Sequence, residues 1–172
     1  MFELNLGIIG LVFSILFSGC EMALISANKL QIDVWVKQKY KLGNLTKFII
    51  NNKSKFLTVS LIGTNLANIL ASSFFTIFFL NLKGQNNLEF PEQLLFIPIA
   101  LTILLFGEIL PKTIIREYSN IMLLLLSPLM YLFYILFYPI VLLFNRINFT
   151  GKSHYLSSKE ILAEKREEFQ KI

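Results

Sequence analysis

The sequence predicts an all-α integral membrane protein: three transmembrane helices plus short amphipathic or re-entrant helices on the cytoplasmic side. Three observations carry this reading. Hydrophobic residues are 55% of the 172-residue chain and charged residues only 16%, whereas soluble domains are about a quarter charged. Mean hydropathy is +0.62. Finally, the apolar runs are long enough to cross a ~30 Å hydrocarbon core, and lysines and arginines flank them rather than interleave with them. The net charge of +5 therefore reads as membrane flanking and not as a nucleic-acid surface. A single cysteine, Cys20, rules out an intrachain disulfide framework, and with a single histidine, His154, no zinc site of the usual kind can be assembled.

The first span runs from Leu4 to Ala27, interrupted by Ser14, Ser18, Gly19 and Glu21. Its start, "MFELNLG", lacks the basic region of a signal peptide, so a retained helix is expected. Asn28 to Phe56 follows, with lysines at 29, 37, 39, 41, 47, 53 and 55 against one acid, Asp33. Leu30, Val34, Lys37 and Lys41 follow helical spacing until Gly43-Asn44 breaks the pattern, which predicts two short amphipathic helices at the membrane surface. The second span is about Leu57 to Leu80 and the third about Leu94 to Ile115. The loop between them, "NLKGQNNLEFPEQ", is nearly neutral. The positive-inside rule then places the lysine-rich segment inside, the 81–93 loop outside and the N-terminus outside.

A fourth apolar stretch, Ser119 to Asn145, contains Pro128 and Pro139. A full crossing would carry Arg146, Lys152 and the charged tail outside. A re-entrant hairpin turning near Ser127-Pro128 keeps both ends cytoplasmic and is the preferred reading, with a fourth span as the alternative. The tail "SSKEILAEKREEFQKI" opens on a capping box, Ser157 to Glu160, so residues 151–172 are expected to begin a cytoplasmic polar helical linker after a 1–150 transmembrane domain.

Polar residues recur inside the spans. Ser14, Ser18 and Glu21 share a helix face; so do Asn65 and Asn68, with Ser72 a turn further. Ser14, Thr64 and Ser72 are read as interhelical glue, and Glu21 as either a solvated interfacial residue or an ion contact. In "LLFGEILPKT" (104–113), Pro111 cannot donate to the carbonyl of Gly107, which leaves that oxygen free beside the Glu108 carboxylate. The bland reading of this stretch is a Glu108–Lys112 ion pair; the functional one has Lys112 snorkel to the interface. With an asparagine amide and a serine hydroxyl from the other spans, the freed carbonyl and the carboxylate make an all-oxygen pocket suited to a hard cation such as Mg²⁺ or Na⁺.

"FSGCEMALISANK" (17–29), "LIGTNLANILASS" (61–73) and "LLFGEILPKT" (104–113) resemble, in order and spacing, the three signatures of the transmembrane domain of the CorB/CorC and cyclin-M (CNNM) magnesium transporters. The likeness covers residues 4 to about 150. It implies a homodimer of three-span protomers, multi-pass in the cell membrane, that moves Mg²⁺ outward with Na⁺ as the coupling ion. Carried over by motif, the Mg²⁺ ligands are Ser18, Asn65, Asn68, the Gly107 backbone and Glu108, with Pro111 holding a local helix irregularity. Cys20 stands where the family commonly has serine. The resemblance also implies a nucleotide-binding CBS pair and a small C-terminal domain, neither of which lies within these 172 residues.

The expected function is thus a Mg²⁺ transporter domain. The alternative is a membrane anchor or divalent-cation sensor that signals to a cytoplasmic domain not included here. An enzyme is not expected, since the spans contain no Ser/His pairing, no histidine pair and no paired aspartates.

Overall fold

The structure is a computed structural model that describes residues 1–86, 91 and 93–142. The proposed linker, with its capping box, lies outside the described residues. Among those described, all regular structure is helical: α1 (Phe2–Ser26), α2 (Lys29–Lys37), α3 (Gly43–Asn51), α4 (Lys53–Asn86), α5 (Gln93–Thr102), a π-helical segment (Ile103–Ile109), α6 (Leu110–Glu117) and α7 (Ser119–Leu136). Four helical stretches are long and apolar enough to cross a membrane: α1, α4, the run Leu94–Glu117 and α7.

α1 and α4 are the central pair. Gly10 lies so close to α4 that a Cβ there would sit 2.8 Å from the Ala71 backbone nitrogen, and a Cβ on Gly63 would run into the Phe17 ring. With lipid on the outside, there is no hydrophobic force to press helices together, and small residues compensate by letting backbones approach.

The apolar core falls into two clusters. Near the lysine-rich end, Cys20, Ala23, Leu24, Ile32, Ile49, Phe56, Leu123 and Met130 join α1, α2, α3, α4 and α7. Towards the other end, Ala71, Ile99 and Ile103 pack with Leu11, Phe75 and Leu95. On α1 and α4 the polar residues Ser14, Ser18 and Asn68 fall between the two clusters.

The expected amphipathic helices are present, but Gly43-Asn44 begins α3 rather than breaking the pattern. The break lies just before it, where Lys39 adopts φ 58°, an uncommon left-handed geometry for a non-glycine residue. Asn28 caps α2 by accepting from the Leu30 amide at 2.9 Å, and its own amide donates to Asn120 Oδ1 at 2.7 Å, which ties α2 to α7. Asp33 and Lys47 link α2 to α3 at 2.8 Å, and that ammonium holds the Asp33 carboxyl below its ordinary range. Lys53 Nζ donates to the Ile25 carbonyl at 3.2 Å, at the C-terminal end of α1.

The turn expected at Ser127-Pro128 does not occur. α7 runs unbroken through Pro128 and ends at Leu136. Pro128 cannot donate to the Leu124 carbonyl, and the Ser127 hydroxyl takes over, donating to that oxygen at 2.8 Å. Hydroxyl repair of this kind lets proline persist in apolar helices. The helix breaks instead around Phe137, and residues 138–142 resume a helical turn.

Gly10→Ala should therefore lower the thermal unfolding midpoint in nanodiscs, at a cost of ~1–3 kcal/mol, because backbone cannot yield as a side chain can. A Cβ at Gly84 meets nothing within 4 Å. Gly84→Ala should accordingly be neutral, or stabilising by up to ~1 kcal/mol through helix propensity.

Candidate functional site

Three elements converge on the polar layer between the apolar clusters. From α1, the Ser14 hydroxyl contacts Asn68 Oδ1 at 2.5 Å and the Gly107 carbonyl at 3.2 Å. The Ser18 hydroxyl donates to the Glu108 carbonyl at 3.4 Å. From α4, Asn68 Nδ2 donates to Glu108 Oε1 at 2.7 Å. Ser14 and Ser18 are both fully buried. Each partner is a short polar group whose demand another member meets, as buried polar groups at membrane depth require.

The backbone makes this possible. Residues Ile103–Ile109 are π-helical, and the Leu110 amide reaches back to the Leu105 carbonyl. Pro111 follows at the start of α6 and is buried. A π turn carries one more residue than an α turn, and Pro111 has no N–H to donate to the preceding turn. The carbonyls of Gly107 and Glu108 both take hydroxyl donors from α1. A Cβ at position 107 would lie 2.7 Å from Ser14 Oγ, so glycine is needed for the close approach.

Of the residues singled out in the sequence, Ser18, Asn68, Gly107 and Glu108 are brought together, and Pro111 sits where the helix leaves its π geometry. Asn65 is not. Gly63, Ala67 and Ala71 form the buried stripe of α4, and Asn65 lies two residues from both Gly63 and Ala67, on the exposed side. Among the described residues no hydrogen bond joins it to the cluster. Thr64 and Ser72 are not the interhelical glue expected of them: their hydroxyls donate to carbonyls of their own helix, Ser60 and Ile69.

Ser14 is the residue that sequence reasoning set aside. Its spacing of four from Ser18 was the available signal, since it places both hydroxyls on one face. The Glu108–Lys112 ion pair is not formed. Lys112 Nζ lies 3.2 Å from Glu21 Oε2 on α1 instead, and the Glu21 side chain is mostly covered by protein.

Chemically, the layer offers the Glu108 carboxylate, the Asn68 amide oxygen, two hydroxyls and the Gly107 and Glu108 carbonyls. Among the described residues no cluster of three or more His, Cys, Asp or Glu exists. Such a donor set suits a hard cation and offers nothing to a soft one.

Comparison with known proteins bears on this geometry. Residues 6–168 match the family model described as the cyclin M transmembrane N-terminal domain. The chain is 31% identical over 135 residues to the UPF0053 inner membrane protein YfjD of Escherichia coli, covering 76% of this chain and 30% of that protein. It is also 31% identical over 138 residues to a UPF0053 protein of Haemophilus influenzae, covering 80% and 32%. The chain therefore spans about a third of the length of these relatives.

The contact between Gly107 and Ser14 can be tested through a double-mutant cycle on unfolding. Gly107→Ala should destabilise the protein by ~1–3 kcal/mol, and in a Ser14→Ala background the same change should cost less, with a coupling of ~1 kcal/mol.

Proposed function

Because the chain belongs to the cyclin M transmembrane-domain (CNNM) family, we propose that it is a transporter domain that moves Mg²⁺ across the membrane, outward and with Na⁺ coupling, through the Asn68–Gly107–Glu108 layer. The observation that carries this reading is the set of carbonyl, amide, carboxylate and hydroxyl oxygens gathered between two apolar clusters. A divalent ion leaving water needs charge compensation, and Glu108 is the carboxylate within the layer. Ser18, Asn68 and the Gly107 carbonyl supply neutral oxygens, and Ser14 joins them. Freed carbonyls at a helix irregularity are a recurring ion-site device in transporters.

The accompanying topology has three spans, with the N-terminus outside and the lysine-rich helices, α7 and the tail on the cytoplasmic side. Supporting it, α7 starts at the lysine-rich end, and Phe133, just before the helix ends, meets Phe13 and Phe17 in the middle of α1. α7 proper ends three residues later, at Leu136, and a break at Phe137 precedes the helical turn 138–142. The assembly is a homodimer; Asn65, an amide exposed on a membrane-spanning helix, suits a protein-facing surface better than lipid.

Glu108→Gln keeps shape and an oxygen but removes the charge. It should abolish Mg²⁺-dependent thermal stabilisation and Mg²⁺ flux from proteoliposomes, and wild-type flux should rise with an opposing Na⁺ gradient. Retention of both in Glu108→Gln would sink the reading. Binding without flux in the wild type would favour a cation sensor that acts on a domain outside this chain. For topology, cysteines at Gln85 and Ser153 in a Cys20→Ser background should react with an impermeant thiol reagent from opposite sides.

A further inference from the structure

Glu21 and Lys112 form an ion pair that the cation layer itself does not use. Glu21 follows Ser18 by one helical turn on α1, and Lys112, on α6, follows Glu108 of the π segment by about one turn. The pair is therefore the next rung, towards the lysine-rich end, after the Ser18–Glu108 contact. Its side chains are 14% and 33% exposed for Glu21 and Lys112. The Glu21 oxygen facing the ammonium is buried and makes no aligned hydrogen bond, so charge is what holds it.

Lys112 has a second acidic neighbour. Glu108 stands four residues before it, the spacing at which oppositely charged side chains meet on one helix. A lysine that turned towards Glu108 would neutralise the layer's carboxylate and place a fixed positive charge where a cation would sit. In the structure that carboxylate takes the Asn68 amide instead, and Lys112 is turned to α1.

We propose that Glu21 is a positioning residue that holds Lys112 away from Glu108 and so keeps the Glu108 carboxylate available to a cation. This rests on the cation reading of the layer. Glu21 need not touch the ion; it acts through the lysine. The arrangement makes the two members of one ion pair unequal: loss of the acid releases a competitor, whereas loss of the base releases nothing that can reach Glu108.

The test is Mg²⁺ titration of the purified protein in nanodiscs, read by calorimetry, with the unfolding midpoint recorded in the absence of Mg²⁺. Glu21→Gln should weaken Mg²⁺ binding by about tenfold or more, the effect of bringing a unit positive charge near the site. Lys112→Gln should bind at least as tightly as wild type. The double variant Glu21→Gln/Lys112→Gln should recover to within about threefold of wild type, although both of its parts have lost the ion pair. Glu21→Asp, which retains a carboxylate, should keep most of the affinity and serves if Glu21→Gln folds poorly. A merely structural pair would lower the unfolding midpoint in both single variants and leave affinity unchanged, or make the double variant the weakest; either result overturns the proposal. Loss of binding in Glu108→Gln with wild-type binding in Glu21→Gln overturns this inference and leaves the cation layer standing. Absence of Mg²⁺ binding in the wild type overturns the cation layer and this inference with it.

Discussion

A carboxylate set among apolar helices has to be answered by other groups, and the rest of this molecule follows from how Glu108 is answered. Its oxygen takes the Asn68 amide at 2.7 Å. That amide is oriented because its own oxygen faces the Ser14 hydroxyl at 2.5 Å. Ser14 in turn lies against the Gly107 carbonyl, where a side chain would not fit. For Ser14 and Asn68 to meet at all, α1 and α4 must run in close contact, which Gly10 and Gly63 permit. The small residues, the buried hydroxyls and the irregular backbone are thus successive requirements of one half-buried carboxylate, each costly to leave unmet.

Prolines show how the same chemical deficit leads to different outcomes. Pro128 is absorbed: the neighbouring Ser127 hydroxyl supplies the bond to Leu124 that the ring cannot, and α7 continues. Pro98 likewise sits within α5 without ending it. Pro111 follows a π segment, and the carbonyls before it are taken up by hydroxyls from another helix. Where a hydroxyl lies in the same turn, proline is locally repaired; where the nearest hydroxyls belong to α1, proline ties two helices together.

The sequence made the helical class, the four apolar stretches and the two surface helices legible, because hydropathy and lysine placement act at the scale of whole elements. Membership of Ser18, Asn68, Gly107 and Glu108 in one layer was legible through their motifs. The finer facts depended on partners distant in sequence. Ser14 reads as glue until Asn68 and Gly107 are seen beside it. Asn65 and Asn68 are near neighbours on α4, yet only Asn68 lies on the edge of the Gly63–Ala67–Ala71 stripe that faces α1. The Ser127 hydroxyl's bond to Leu124 within α7 depends on a side-chain rotamer, and Lys112's choice between two carboxylates on how α6 sits against α1. None of these leaves a periodic trace.

The π segment also fixes the phase of everything after it. Helical faces are set by counting residues, and a π turn holds one residue that an α turn would not. If the segment between Ile103 and Ile109 adopted α geometry at its present length, α6 would swing by ~100° about its axis. Pro111 and Lys112 would then face different neighbours although neither had changed. The π geometry, as much as residue identity, therefore sets which side chains of α6 meet α1.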